Sequence, residues 1–143
     1  MLVPGPGRVL GSRSRSSPSC FENYNSSVGG NGVDRMFRAF SDRTRLRILS
    51  LLNDHGEICV GDLVAVLNAP QTTVSRHLAY LRRAGLVTVR KDGLWKHYRL
   101  SPAESAFHRK LLGCLGSCFE EVRELDRDRR RYERLRERCC PSD

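Results

Sequence analysis

The chain has 143 residues, 39% of them hydrophobic and 29% charged, with a formal net charge of +9. That balance excludes a wholly disordered chain, and the length suits one modest core rather than several. No apolar run approaches the roughly 18 residues a bilayer span needs, and the start carries no hydrophobic block of the signal-peptide kind, so a cytoplasmic protein with no membrane partner is expected.

Residues 1–32 are rich in Gly, Pro, Ser and Asn without an apolar period, and they read as a disordered leader. From Val33 the period turns helical, with Met36, Phe37 and Phe40 on one face. Ser41-Asp42 then supply an N-cap, and Leu46, Ile48, Leu49, Leu51 and Leu52 follow at helical spacing until Asn53-Asp54-His55-Gly56 ends the helix. A short helix carries Val60, Leu63, Val64 and Leu67, with Asp62 in its first half.

After the tight break Asn68-Ala69-Pro70, Val74, Leu78 and Leu81 fall at i, i+4 and i+7 and predict the core stripe of a second helix. Its other faces carry Gln71, Thr72, Thr73, Ser75, Arg76, His77, Tyr80 and Arg83. A short helix, a tight turn and a helix that opens on polar residues is helix-turn-helix geometry. There the second helix enters the major groove, where Gln and Arg make bidentate contacts to base edges and Thr and Ser reach bases or phosphates. The same surface could instead be the wet side of an ordinary helix, and His77 could be a half-buried structural residue.

Leu86 to Val89 alternates like a strand, Lys91-Asp92-Gly93 turns, and Leu94 to Leu100 returns. This predicts a two-stranded wing with Arg90 and Lys91 at its tip for phosphate contact, and with Trp95 and Tyr98 packed against the helices. Ser101-Pro102 is read as the start of a last long helix, along which Phe107, Leu111, Cys114, Leu115, Cys118, Val122 and Leu125 form a near-heptad seam. A seam with nothing further to cover it predicts a homodimer through the terminal helices. The expected fold class is therefore mainly α with a two-stranded β-wing, a winged helix-turn-helix over 33–126. Residues 127–143 are expected to be a charged, solvated tail ending in vicinal cysteines.

The charge has a location. Residues 34–100 hold 12 Lys/Arg against 6 Asp/Glu, whereas 101–143 hold 10 against 9. The excess thus coincides with the helix pair and wing, as a surface meeting double-stranded DNA requires.

Four segments, "FRAFSDRTRLRILSLL", "EICVGDL", "PQTTVSRHLAYLRRAGLV" and "RKDGLWKHYRL", together resemble the ArsR/SmtB family of metal-sensing repressors over about Asp34 to Leu100. The resemblance implies a homodimer that binds operator DNA and leaves it when a metal or metalloid binds. In the arsenic-sensing branch the first helix of the pair resembles "ELCVCDL". Here Cys59 matches the first of those cysteines and Gly61 stands in place of the second. The remaining thiolates must then come from elsewhere.

The cysteines are six: Cys20, Cys59, Cys114, Cys118, Cys139 and Cys140. Without a secretion signal, free thiols in a reducing compartment are expected. As(III) or Sb(III) takes three soft thiolates, and the expected metal set is Cys114, Cys118, Cys139, Cys140 and Cys59. Cys114 and Cys118 are i, i+4 on one face, where two small core residues would sit equally well. An unbroken helix would hold Cys118 about 30 Å from Cys139, so a shared site needs a break or a second subunit. Zn, Cd or Pb on thiolates and a reversible disulfide are the alternatives. A thiol enzyme using Cys139-Cys140 has neither a Cys-x-x-Cys motif nor a Gly-rich nucleotide loop behind it.

Overall fold

The computed structural model describes residues 30–139. They belong to two units, one ending at Arg38 and one starting at Ala39, with the boundary inside helix α1 (Gly30–Phe40). Asp34 and Arg38, one turn apart on α1, pair at 3.2 Å. This helix starts three residues before the expected Val33. Phe37 is 56% exposed while Met36 is buried, because neighbours on a helix diverge by about 100° and cannot share one face. Residues 1–29 of the leader, Cys20 among them, lie outside the described residues.

The second unit is built on α2 (Arg43–His55), whose start and stop are chemical. Asp42 is extended and its carboxylate accepts the Arg45 N–H at 2.9 Å, while Gly56 at φ +80° closes the helix with its N–H on the Leu52 carbonyl. Ile48, Leu49, Leu51 and Leu52 are fully buried, and Leu46 only partly. Next come strand β1 (Ile58–Cys59), helix α3 (Val60–Leu67) and helix α4 (Gln71–Arg83). Asn68 adopts the left-handed conformation that ends α3, a geometry Asn tolerates better than most residues.

Strands β2 (Val87–Asp92) and β3 (Trp95–Leu100) form the wing, joined by Gly93-Leu94 with Gly93 at φ +62°. The sheet has three strands rather than the expected two, in the order β1-β3-β2, all antiparallel. The pairing Ile58↔Tyr98 and Cys59↔His97 involves two residues only, too few for an alternating pattern to be read. Tyr98 packs inward as expected. Trp95 is 62% exposed, because it sits at the hairpin end, beyond the reach of the helices.

The C-terminal third departs most from expectation. The helix expected to start at Ser101-Pro102 is α5 (Ala106–Ser117), capped by Ser105, whose hydroxyl accepts the His108 N–H at 3.0 Å. It stops at Cys118, after Gly113, Gly116 and Ser117 have weakened it. The chain turns over 118–122 and continues as α6 (Arg123–Cys139), packed on α2 and α3. The expected continuous seam is therefore broken, with Val122 in the turn and Leu125 on the second helix. The solvated tail is also corrected: Tyr132 and Asp128 are buried, and the Tyr132 ring lies 4.6 Å from His55. Arg47 donates to Asp128 through Nε at 2.6 Å and Nη2 at 2.8 Å, and Arg43 donates to Glu124 at 2.6 Å. A bidentate guanidinium–carboxylate pair fixes orientation as well as distance, so α6 is locked to α2.

Candidate nucleic-acid interface and thiol site

Helix α4 begins where the Pro70 carbonyl accepts the N–H groups of Thr73 and Val74, at 3.0 and 3.1 Å. Val74, Leu78 and Leu81 are wholly buried, which fixes the rotation of the helix. Gln71, Thr72, Ser75, Arg76 and Arg83 are left exposed. Thr73, His77 and Tyr80 form a half-buried stripe at i, i+4 and i+7. His77 Nδ1 lies 3.7 Å from Asp42, and the Arg45 guanidinium stacks 4.1 Å above the Tyr80 ring. Those two side chains are engaged within the protein. Arg82 is exposed beside Arg83, in a groove between the end of α4 and Val87, Thr88 and Val89 of the wing. Arg82 lies outside the expected set of contact residues, although the period from Thr72 through Ser75 and Ala79 leads to it.

On the wing the two expected cations differ. Arg90 is held by Glu57 at 2.7 and 3.3 Å and by Asp92 at 3.5 Å, so its charge is largely matched. The same hydrogen bond holds the Glu57 carboxyl below its usual range, against a smaller opposing effect of burial. Lys91 is exposed and stands opposite Lys96 in the β2–β3 register. Like charges directly across a ladder repel, and a phosphate between them would relieve that repulsion.

The thiols divide. Cys114 is half-buried and Cys118 exposed on the last turn of α5, with the Cys118 N–H on the Cys114 carbonyl at 2.9 Å. A hydrogen bond to Cys118, with burial second, holds the Cys114 thiol above its ordinary range. Cys118 Sγ also lies 3.8 Å from the Ser117 hydroxyl. Cys59 stands apart at the start of α3, half-buried and paired with His97 across the strands. His108, the one histidine on α5, is buried, and its Nδ1 accepts the Glu104 N–H at 3.4 Å. Cys140 lies outside the described residues, as does the side chain of Cys139. Among the described residues no three His, Cys, Asp or Glu side chains are grouped to hold a metal ion. The soft donors at 114 and 118 are of the kind a thiophilic ion takes.

No helix among the described residues is long and apolar enough to cross a membrane. Residues 42–89 match the family described as bacterial regulatory protein, arsR family. The arsenical resistance operon repressor of Escherichia coli K12 is 45% identical over 87 residues, 61% of this chain and 74% of that protein. HlyU from Vibrio cholerae superposes with a TM-score of 0.55 at 33% identity, over 63% of this chain and 94% of that one. The homodimeric winged helix-turn-helix DNA-binding domain of a possible ArsR-family regulator from Mycobacterium bovis gives 0.54 at 28% identity, over 64% and 82%. With a buried helix stripe that fixes a wet reading face, a wing beside it and relatives that regulate transcription rather than catalyse reactions, this chain belongs to the ArsR family of DNA-binding bacterial regulators.

Proposed function

We propose that the protein is a cytoplasmic, homodimeric repressor released from operator DNA when As(III) or Sb(III) is bound by cysteine thiolates. In this reading Gln71, Thr72, Ser75, Arg76 and Arg83 meet the major groove and Lys91 reaches the flanking backbone, while Arg90, paired with Glu57, braces the wing. The observation that carries the inducer half is the placement of two free thiols, Cys114 and Cys118, one turn apart at the end of α5, with the Cys118 N–H on the Cys114 carbonyl at 2.9 Å. A third thiolate would come from Cys139, Cys140, Cys59 or a second subunit. The name of the Escherichia coli relative supports the arsenical reading. A homodimer is supported by the Mycobacterium bovis structure, and it makes the mechanism simple. Two half-sites engaged together tolerate little change in spacing, so a ligand that shifts α5 costs much of the affinity.

The test is fluorescence anisotropy of the reduced protein on DNA from upstream of its own gene. Arsenite should release wild type and fail to release Cys114→Ser or Cys118→Ser. Release by zinc or cadmium alone, or by oxidation and not arsenite, would replace the metalloid with one of those signals. A Gln71→Ala, Arg76→Ala variant should keep the dimer and lose specific binding; retained binding would refute the assignment of α4.

A further inference from the structure

The near-neutral charge count of the C-terminal segment conceals a sorting by helical period along α6. Its buried seam is Leu125, Asp128 and Tyr132, with Leu135 half-buried behind them. On one flank Asp126 pairs with Arg129 and with Arg130, the latter at 2.9 Å. Helical spacing puts Glu133 and Glu137 on that same flank.

The other flank carries Arg131, Arg134 and Arg138 at i, i+3 and i+7, and the same stripe continues back to Arg127. All are exposed. Among the described residues Arg131, Arg134 and Arg138 make no ion pair, and the carboxylates within one turn of the stripe are Glu124, three residues before Arg127, Glu137, three after Arg134, and the buried Asp128, held by Arg47. Like charges one turn apart repel, and a row of phosphates against them would relieve that repulsion.

The stripe also has a place. Arg131, Arg134 and Arg138 line a cleft against Ala65 of α3, the first helix of the reading pair. That helix is the one that crosses the phosphate backbone in helix-turn-helix complexes. From Ala65 to Gln71 the chain runs to the end of α3 and through a three-residue turn, at most about 17 Å. The stripe itself, from Arg127 to Arg138, is about 17 Å long, half a helical turn of duplex.

We propose that this arginine stripe is a second DNA surface, which binds backbone phosphates outside the half-site read by α4 and lengthens the footprint. The proposal rests on the operator-binding reading above. Phosphate contacts supply affinity and register without reading sequence, so the stripe would strengthen binding without narrowing the choice of operator.

The test uses the full chain on two duplexes from its own upstream DNA: one of about 24 base pairs centred on the protected site, and one about a turn longer at each end. Arg131→Gln, Arg134→Gln, Arg138→Gln should match wild type on the short duplex. On the long one its log K against log salt slope should be shallower by about 2 or more, since each phosphate contact contributes about 0.9 and a dimer offers six arginines. The three-lysine variant, Arg131→Lys, Arg134→Lys, Arg138→Lys, should restore the slope, and both variants should keep the wild-type circular dichroism. An unchanged slope on the long duplex, or an equal loss on both, would overturn the proposal while leaving operator binding intact. Wild type that binds neither duplex would overturn both readings.

Discussion

Asp128→Ala tests whether α6 is part of the folded unit or a solvated tail. The Asp128 side chain is 5% exposed and that of Arg47, its bidentate partner, 18%. Removing one member of a buried pair typically costs about 3–5 kcal/mol, because the other charge stays desolvated and unpaired. Arg47 keeps some access to water and has Glu124 at 3.8 Å, so the expected loss is lower, about 2–3 kcal/mol. For a unit of this size that lowers Tm by roughly 10 °C or more. Urea denaturation should show the midpoint falling with an unchanged m-value. A double-mutant cycle with Arg47→Ala should then return a coupling above about 1 kcal/mol. A loss below about 0.5 kcal/mol, typical of an exposed ion pair, would refute the docking of α6.

Burial pushes both His55 and His108 below the ordinary histidine value of 6.5, against smaller effects of Asp54 and Glu133 on His55 and of Glu104 on His108. The unfolded chain then binds more protons than the native one between the lowered values and 6.5, so stability is full above that pH and falls as pH drops through the window. Urea midpoints should decrease between about pH 7.5 and about pH 5, and a His55→Gln, His108→Gln variant should flatten the curve. Equal slopes for variant and wild type would discard this origin. Gly56→Ala meets no neighbouring atom yet must hold φ +80°, so denaturation should show a loss of about 1–2 kcal/mol. Gly61→Ala, also unobstructed but inside a helix, should gain about 0.5–1 kcal/mol.

Whatever depends on neighbours in the chain could be read without coordinates. The Asp42 cap, the Gly56 stop, the Val74-Leu78-Leu81 stripe and the β2–β3 hairpin are set by residues within a turn or two of one another, so period and turn chemistry suffice. The helix-turn-helix and its wet face followed from the same local rules. Among the residues proposed to face DNA, period alone could not separate Arg76 from His77 and Tyr80. Their half-burial depends on Asp42 and Arg45 of another helix.

Other features required the fold because they come from contacts between distant segments. Strand β1 exists only through its pairing with β3, 39 or so residues further on. A continuous C-terminal helix was locally reasonable, but Tyr132 and Asp128 find their partners, His55 and Arg47, only when the chain reverses after Cys118. Helical period sorts the charges of α6 onto separate flanks, and among the described residues Cys59 joins no metal-holding cluster with Cys114 and Cys118. Composition counts charges and thiols, whereas electrostatics and metal chemistry act over a few ångströms. The sequence alone determined a helix-turn-helix pair with a wing, and a chain that carries free thiols beyond it. Which arginines lie unpaired beside that pair, and which thiols meet, was decided by tertiary packing because both depend on distances that sequence separation does not set.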